Sequence, residues 1–291
     1  MIPSALKKLL ARENLSGAEA DAIMEQILSG NANDALIAAL LIALRMKGET
    51  VDELVGFATA MRRHATPIFA PGHSRADEML VDTCGTGGDG CNTFNISTAA
   101  AFVVAGAGVR VAKHGNRAAS SRTGAADVLE QLGVVIEQPA ARVRQAIEEI
   151  GIGFLFAPAI HTAMKHAMPA RRALGVRTVF NLLGPLTNPA GAAAQVVGVS
   201  APHLTELLAR LHFQRSHAVP RQINEDHFVQ IVLGVVGDTD GRLVAVYPHP
   251  FMRCGIFEIA WLIRVGHVFL APLKRERLLR ALIEWQRDDH R

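Results

Sequence analysis

A glycine-rich stretch at residues 82–98 holds the first side chains whose types and spacing could do chemistry. Four glycines fall within residues 85–90, directly after an apolar run, and Asn95, Ser97 and Thr98 follow them. Consecutive backbone N–H groups in such a loop can curl around an anion. The amide and hydroxyl side chains stand where the next helix should begin, and a helix N-terminus attracts phosphate. The stretch therefore predicts a phosphate-binding loop, and the alternative is a tight turn with a capping Asn or Ser.

The spacing of three of these glycines, Gly85, Gly87 and Gly90, formally matches the dinucleotide-binding fingerprint. That fold uses an acidic residue after the second strand to bind the ribose hydroxyl. Here no Asp or Glu occurs between Asp89 and Asp127. A P-loop would require a Gly-Lys-Ser/Thr sequence, which the stretch lacks. The loop is therefore expected to bind a phosphate that belongs to neither NAD nor ATP.

A basic segment at residues 110–124 is the second candidate. It contains five actual or potential cations: Arg110, Lys113, His114, Arg117 and Arg122. We expect Lys113 and the residues after it to lie just past the second strand, at the edge where open α/β sheets bind ligands. Positive charge without an acid to neutralise it suits a multiply charged anion such as a diphosphate. The alternative is a solvated basic loop.

A third segment contains two histidines and two arginines within residues 161–172, and a turn-rich stretch at residues 181–189 follows it. Among them, His161 and Arg171 could form part of a corner that binds a carboxylate. Met164 and Met168 stand at helical spacing, which is more typical of a core than of ligand contacts. The composition of residues 181–189 indicates an ordered loop without revealing its role.

The elements that must position these segments begin with helices. Apolar residues at helical spacing predict four of them, at residues 2–11, 18–28, 34–46 and 51–63. Capping boxes mark two of the starts, Ser16 with Glu19 and Thr50 with Glu53. A link rich in Pro and Gly at residues 66–72 then indicates a domain boundary.

Beyond the link, short apolar runs alternate with helical patterns. The predicted strands lie at residues 79–82, 109–112, 134–137, 154–157 and 195–199. The predicted helices lie at residues 97–105, 124–132, 140–150 and 204–211. Such alternation is typical of a mostly parallel sheet covered by helices. The expected fold class is thus α/β, with a small helical domain at residues 1–66 and a larger α/β domain at residues 73–291.

Composition narrows the classes of protein. Hydrophobic residues make up 49% of the 291 and charged residues 20%, as in ordinary globular proteins. The net charge of +3 is weak evidence for nucleic-acid binding. Three cysteines without CxxC spacing argue against a disulfide framework and a structural zinc site. With no signal-peptide pattern and no apolar run long enough for a bilayer, we expect a cytoplasmic protein that does not enter membranes.

Taken together, the motifs at residues 85–90 (Gly-Thr-Gly-Gly-Asp-Gly), 95–98 (Asn-Ile-Ser-Thr), 113–117 (Lys-His-Gly-Asn-Arg) and 181–189 closely resemble the anthranilate phosphoribosyltransferase family. The resemblance runs from the N-terminal helices to about Val199. It implies a helical domain joined to an α/β domain and a homodimer paired through the helical part. It also implies transfer of the phosphoribosyl group of phosphoribosyl pyrophosphate to the amine of anthranilate, with Mg²⁺, in tryptophan biosynthesis. The products would be N-(5-phosphoribosyl)anthranilate and pyrophosphate.

The resemblance also implies which residues form the site. The phosphoribosyl pyrophosphate would be bound by Gly85, Gly88, Asp89, Thr93, Asn95, Ile96, Ser97, Thr98, Lys113, His114, Gly115, Asn116, Arg117, Ala118, Ala119, Ser120 and Ser121. The anthranilate would contact Gly85, Asn116, Arg171, His114 and His161. Magnesium would bind Ser97, with Glu225 and Asp226 as candidates for a second ion. No residue is assigned as acid or base, because the weakly basic amine of anthranilate requires no strong general base.

After about Leu211 the sequence departs from the family pattern. Glu225 and Asp226 form the nearest acidic pair, in reversed order, and residues 238–240 form a second pair that is more typical of a hairpin turn. Further strands are predicted at residues 229–236, 243–247 and 257–271, and a helix at residues 273–285. Two alternatives follow. One is a catalytically impaired relative that binds an anionic partner such as nucleic acid, and the other is a transferase or phosphorylase with a different acceptor.

Overall fold

The chain begins with a group of four helices. The computed structural model describes residues 1–70, 80–86, 94–118, 123–192, 194–199, 204–208 and 211, and the backbone of strands at 230–231, 234–237 and 243–246. The four helices are α1 (Ile2–Leu10), α2 (Gly17–Leu28), α3 (Asp34–Lys47) and α4 (Val51–Arg63). Both predicted capping boxes are confirmed, since Ser16 and Glu19 cap α2 and Thr50 and Glu53 cap α4 reciprocally.

Strands and helices then alternate, as predicted. The strands are β1 (Leu80–Gly85), β2 (Arg110–Gly115), β3 (Ile152–Phe156), β4 (Ala194–Gly198), β5 (Gln230–Ile231), β6 (Gly234–Gly237) and β7 (Leu243–Val246). The helices are α5 (Ile96–Gly106), α6 (Ala125–Gln131), α7 (Ala140–Glu149), α8 (Ala157–Ile160), α9 (Met168–Leu174) and α10 (Val179–Leu183), with 3-10 turns at Thr162–His166 and Gly184–Leu186. Residues 204–208 and 211 are also helical.

The central sheet has the order β3-β2-β1-β4-β5, and every neighbouring pair is parallel. This confirms the predicted fold class, an α/β fold with a small helical region before a mostly parallel sheet. The bounds proposed for the two domains stay a prediction. Strands β6 and β7 pair antiparallel, with Gly237 opposite Leu243, as the predicted hairpin requires.

Two strands run further than the sequence predicts. In β1, Cys84 and Gly85 pair with Val197 and Gly198, and in β2 the residues up to Gly115 pair with β3. Lys113 and His114 therefore lie on a strand, and the prediction that they follow it is wrong. The physical reason is that the polar residues and glycines continue the ladder of hydrogen bonds although they break the apolar run.

The strand predicted at residues 134–137 is absent. Val134 and Ile136 are buried between α6 and the edge strand β3, and Val135 is 49% exposed. This alternation looks like a strand, but the segment is an irregular link between α6 and α7. The apolar pattern of this segment therefore results from the packing of a loop and does not indicate a strand.

Elements after residue 156 also differ in part from the prediction. The stretch at residues 181–189 includes the end of α10 and a 3-10 turn, because buried Leu182, Leu183 and Leu186 pack as a short helical surface. The single strand predicted at 229–236 is two strands, β5 and β6, which join different sheets. The strand and helix predicted at 257–271 and 273–285 lie outside the described residues.

The helical region is packed against the α/β region through a shared core. One hydrophobic cluster joins buried residues of α1–α4, such as Leu40 and Phe57, to Phe180 and Leu183 of α10 and Val197 of β4. Gly30, at φ 76°, makes room for the imidazole of His166, since a Cβ there would lie 2.9 Å from its Cε1. Among the described residues, no helix combines the length and apolar character needed to cross a membrane.

Candidate active site

The carboxyl ends of the parallel strands bring the predicted segments to one edge of the sheet. Gly85, at the end of β1, pairs with Gly198, and Gly115, at the end of β2, pairs with Phe156. Because parallel strands end on the same side, the start of the glycine loop, the end of the basic strand and the start of the third segment meet there. A Cβ on Gly85 would lie 3.3 Å from the carbonyl oxygen of Gly198, so the backbones approach closely at this edge.

Lys113 is the buried cation of this edge. Its Nζ donates to the carbonyl oxygen of Thr83 at 2.6 Å and to Oγ of Ser97 at 3.2 Å, and the residue is 3% exposed. The Thr83 hydroxyl in turn donates to the carbonyl oxygen of Ser97 at 2.9 Å. Burial lowers the pKa of Lys113, and the negative charge of Asp82 opposes that shift. The ammonium is thus held beside the first turn of α5, where the dipole and N–H groups of the helix favour anions.

A buried carboxylate, Asp82, supports the same edge from below. It accepts hydrogen bonds from the backbone N–H of His114 at 3.2 Å and from Nε2 of Gln195 at 2.8 Å. Gln195 Nε2 also donates to the carbonyl oxygen of Pro185 at 2.6 Å. Burial raises the pKa of Asp82, opposed by hydrogen bonds and by the charge of Lys113. This carboxylate fixes β2 and β4 relative to β1 at the point where the site begins.

Two neutral imidazoles lie on the other side of β2. The ring centroids of His114 and His161 are 5.1 Å apart, and His114 Nδ1 is 3.2 Å from the carbonyl oxygen of Gly184. Burial lowers the pKa of His114 to about 4, and burial with the neighbouring His114 lowers the pKa of His161 to about 3. Both rings are therefore uncharged at neutral pH. Within the described part of the chain, the Nε2 atom of each ring is buried and has no hydrogen-bond partner.

Arg171 stands on α9, shortly after the 3-10 turn that follows His161. Its guanidinium carbon lies 4.8 Å from the ring centroid of Phe180, and its Nη1 is 3.7 Å from Sδ of Met168. Burial lowers the pKa of Arg171. Among the ion pairs of the described residues, none neutralises this guanidinium. It is therefore suited to receive a carboxylate from a ligand.

Arg117 differs from its prediction. Its guanidinium pairs with both carboxylate oxygens of Glu130, contacts Asp127 Oδ1 at 3.3 Å and lies over the ring of Phe156. The expectation of a basic segment with no acid to neutralise it is therefore wrong for this residue. The sequence between Asp89 and Asp127 does lack acids, but the turn at Gly124 folds the acids of α6 back onto Arg117.

The predicted site residues divide into four groups. The first group makes direct contacts with the sheet edge or within the group, and it consists of Ser97, Lys113, His114 and His161. The second group lies in the neighbouring turns and element ends, and it consists of Gly85, Asn95, Ile96, Thr98, Gly115, Asn116 and Ala118. Arg117 points at α6 and Arg171 at α10. Outside the described residues lie Gly88, Asp89, Thr93, Ala119, Ser120, Ser121, Arg122, Glu225 and Asp226.

Sequence reasoning missed Asp82, Gln195 and Asn188. Asn188 Nδ2 donates to the carbonyl oxygen of Ala112 at 2.9 Å, so the stretch at 181–189 is tied to β2. The available signal was an Asp and a Gln inside apolar strands, where an unpaired polar group is costly. Nothing in the sequence pairs residues so far apart along the chain.

Among the described residues, one side chain is suited to be a ligand of a magnesium ion. Within this part of the chain, no group of three or more His, Cys, Asp or Glu side chains could hold a metal. Mg²⁺ requires few protein ligands where phosphate oxygens and water complete its octahedron. The Ser97 hydroxyl is an oxygen ligand of the required kind at the start of α5. The fit therefore depends on a phosphorylated ligand being present.

Comparison with known proteins identifies the family of this chain. Residues 3–65 match the helical bundle domain of a glycosyl transferase family, and residues 77–222 match the a/b domain of the same family. A relative from Syntrophobacter fumaroxidans called anthranilate phosphoribosyltransferase is 52% identical over 251 residues, which cover 85% of this chain and 73% of that protein. The chain belongs to the anthranilate phosphoribosyltransferase family. A second member of the family, from Solibacter usitatus, is 61% identical over 204 residues. That match covers 70% of this chain and 59% of the relative, so the chain spans about three fifths of that relative's length.

Solved structures of the family are also similar. The anthranilate phosphoribosyltransferase from Thermus thermophilus has a TM-score of 0.64 and 52% identity, covering 71% of this chain and 63% of that chain. The enzyme from Saccharomyces cerevisiae in complex with PRPP and Mg has a TM-score of 0.70 and 25% identity, covering 92% and 80%. The likeness to the yeast enzyme therefore extends over most of this chain.

Proposed function

We propose that this chain transfers the phosphoribosyl group of phosphoribosyl pyrophosphate to anthranilate, giving N-(5-phosphoribosyl)anthranilate and pyrophosphate, in tryptophan biosynthesis. The observation that carries the proposal is the buried Lys113 ammonium, held 3.2 Å from the Ser97 hydroxyl at the start of α5. The yeast family member with bound PRPP and Mg supports the donor. A yeast structure with 4-fluoroanthranilate, 30% identical with a TM-score of 0.61, supports the acceptor.

The donor half of the site would act on the leaving group. Pyrophosphate leaves from the ribose carbon, so negative charge grows on its oxygens while positive charge grows on the sugar. A fixed ammonium at Lys113 stabilises that charge more strongly in a buried site than in water. The carbonyl oxygen of Thr83 holds this ammonium in place before the substrate binds, so little reorganisation is needed during the reaction.

Magnesium would be held by the Ser97 hydroxyl together with phosphate oxygens. When bound, the ion supplies further positive charge to the departing pyrophosphate. Glu225 and Asp226 remain the candidates from the sequence for a second ion. The Lys113 ammonium and the first turn of α5 would orient the phosphates toward this hydroxyl.

The acceptor half would recognise an aromatic acid. The Arg171 guanidinium would pair with the carboxylate of anthranilate. The neutral imidazoles of His114 and His161 could contact the ring and amine without placing charge beside the amine that attacks the sugar. This combination of a cation and two uncharged rings favours anthranilate over an uncharged nucleobase as acceptor. No general base is assigned, because the amine is already unprotonated at neutral pH.

The proposed assembly is a homodimer formed through the helical region, and the proposed compartment is the cytoplasm. Light scattering of the purified chain tests the assembly, with twice the mass of the 31.2 kDa chain as the expected result.

The transfer itself is tested by the loss of anthranilate fluorescence in the presence of donor and Mg²⁺. Lys113→Ala should lower kcat/KM for the donor by about 100-fold or more, in the range found when one donor to a developing anion is removed. Lys7→Ala is the control, because Lys7 is an exposed lysine of α1. No consumption of anthranilate by the wild-type chain, or equal rates for wild type and Lys113→Ala, would contradict the proposal.

A further inference from the structure

The segment between His161 and Arg171 is connected by consecutive backbone hydrogen bonds. The N–H of Met164 donates to the carbonyl oxygen of His161 at 3.0 Å. The N–H of Ala167 donates to the carbonyl oxygen of Met164 at 2.9 Å, and the N–H of Arg171 donates to that of Ala167 at 3.1 Å. The two residues proposed to contact the acceptor are therefore linked through this segment, and whatever holds the segment also fixes their relative positions.

The helical region supports this segment at its middle. His166 is the last residue of the 3-10 turn, and its imidazole packs against Gly30 in the link between α2 and α3. A Cβ on Gly30 would lie 2.9 Å from Cε1, 3.0 Å from Nδ1 and 3.4 Å from Nε2 of that ring. Ala167 and Ala170 are buried in the hydrophobic cluster that contains α1–α4. The ring of His166 therefore occupies the space that a side chain at position 30 would need.

The backbone at Gly30 is fixed by the end of α2. The N–H of Gly30 donates to the carbonyl oxygen of Ile27 at 3.0 Å. The N–H of Asn31 donates to the carbonyl oxygen of Gln26 at 2.9 Å, and the Gln26 side chain donates back to the carbonyl oxygen of Asn31 at 2.9 Å. With φ at 76°, this is the Schellman arrangement that ends many helices. The surface on which the ring of His166 packs is thus a fixed one.

The donor half of the site has different supports. Lys113 donates to the carbonyl oxygen of Thr83 in β1 and to the hydroxyl of Ser97 in α5. Both elements belong to the α/β region. A change at the contact between His166 and Gly30 is therefore expected to affect the acceptor and to spare the donor.

We propose that His166 is a positioning residue for the acceptor, which acts by packing on Gly30 so that the link between α2 and α3 holds the acceptor segment in place. The inference rests on the proposed function, because that function assigns His161 and Arg171 to anthranilate. A side chain at position 30 would displace the ring, and the 3-10 turn would lose its support. The Arg171 guanidinium would then no longer meet the carboxylate of anthranilate in its best geometry.

Steady-state kinetics with each substrate varied in turn tests this inference. Gly30→Ala should raise the KM for anthranilate about fivefold and should change the KM for the donor by less than about twofold. Gly48→Ala is the matched control, because Gly48 also ends a helix of this region with a positive φ, 91°, and a Cβ there would meet nothing within 4 Å. Both variants should have a lower Tm, since Ala is strained at positive φ, but Gly48→Ala should keep both wild-type KM values.

His166→Ala tests whether the two residues act together. Alone it should raise the KM for anthranilate by a similar factor of about five. Adding Gly30→Ala to it should cause no further rise, because the new methyl group no longer meets a ring.

Three results would overturn the inference: a wild-type KM for anthranilate in Gly30→Ala or His166→Ala, a parallel rise of both KM values, or effects that multiply in the double variant. A wild-type chain that consumes no anthranilate would instead overturn the proposed function. Additive losses of Tm in Gly30→Ala and His166→Ala would overturn the contact between the two residues, whatever the activity.

Discussion

The Arg171 guanidinium has its direction set by an aromatic neighbour. It lies over the ring of Phe180, and its Nη1 contacts the sulfur of Met168. A cation over an aromatic face is attracted to it, and burial strengthens the attraction. The ring therefore holds the guanidinium plane while its outer N–H groups stay available for a carboxylate.

Replacing that ring tests the arrangement. Phe180→Leu should raise the KM for anthranilate about fivefold, because loss of a cation–π contact costs about 1 kcal/mol, while the KM for the donor should not change. Steady-state kinetics with each substrate varied in turn measures both values. Phe57→Leu, in the buried part of α4, is a control that also removes a buried ring. Equal changes in both KM values for Phe180→Leu would show that the ring acts only through stability.

The position of single residues at the sheet edge was predictable where they belonged to a compact motif, and their role in binding stays a prediction. Lys113, His114 and Ser97 stand within short runs whose types indicated phosphate binding. Asp82 and Gln195 were not predictable, because their hydrogen bond joins strands that are distant along the chain. Arg117 was misread because its carboxylate partner, Glu130, comes near it only after the chain folds back at Gly124.

Strand β2 contributes to both halves of the proposed site because consecutive side chains of a strand point to opposite faces of a sheet. Lys113 points toward Thr83 and α5, and His114 points toward Gly184 and His161. The extra length of β2 matters for this reason. If these residues belonged to a loop, as the sequence predicts, nothing would impose the opposite directions.

In the helical region, Glu53 connects three elements. Its side chain is fully buried and accepts from the N–H of Leu15 at 2.9 Å, the N–H of Thr50 at 2.8 Å and Nζ of Lys47 at 3.1 Å. Such a carboxylate satisfies the cap of α4, the segment before α2 and the end of α3 together.

Removing it should therefore cost more than an ordinary cap. Glu53→Ala should lower the free energy of unfolding by about 3–5 kcal/mol, as when one partner of a buried pair is lost. Urea unfolding followed by circular dichroism measures this change. Glu19→Ala, which removes the exposed carboxylate of the α2 box, should cost clearly less. A similar loss in both variants would show that burial adds nothing to the cap.

At the scale of the whole chain, one hydrophobic cluster spans the helical region and α9, α10 and β4. The sequence predicted helices α1–α7 and most strands, because their apolar spacing is local. It could not predict this shared core, because periodicity shows that a helix face is buried and does not identify its partner. The irregular segment at residues 134–137 shows the opposite error. Its alternation of buried and exposed residues predicted a strand, but it results from the packing of a loop.

Acid should weaken the whole molecule through the paired imidazoles. The folded pKa values of His114 and His161, about 4 and about 3, lie below the ordinary value of 6.5. The unfolded chain therefore binds more protons below pH 6.5, and stability falls as the pH drops from there toward the folded values. Each imidazole contributes up to about 1.4 kcal/mol per pH unit in that window.

Urea unfolding of the wild type and His161→Asn across this pH range measures the effect. The free energy of unfolding of the variant should fall less steeply as the pH drops. The difference in slope should be up to about 1.4 kcal/mol per pH unit, which is the contribution of one titrating imidazole. Equal slopes for the two proteins would show that His161 titrates alike in the folded and unfolded states.

The order of strands has a consequence for biosynthesis. Val81 of β1 pairs with Val111 on one side and with Ala194 on the other. A nascent chain leaving the ribosome therefore carries β1 with one bare edge until β4 has been synthesised. Unpaired strand edges recruit other chains, and pairings distant in sequence form slowly. The half-built sheet is therefore the stage of synthesis at which this chain is most exposed to pairing with other chains.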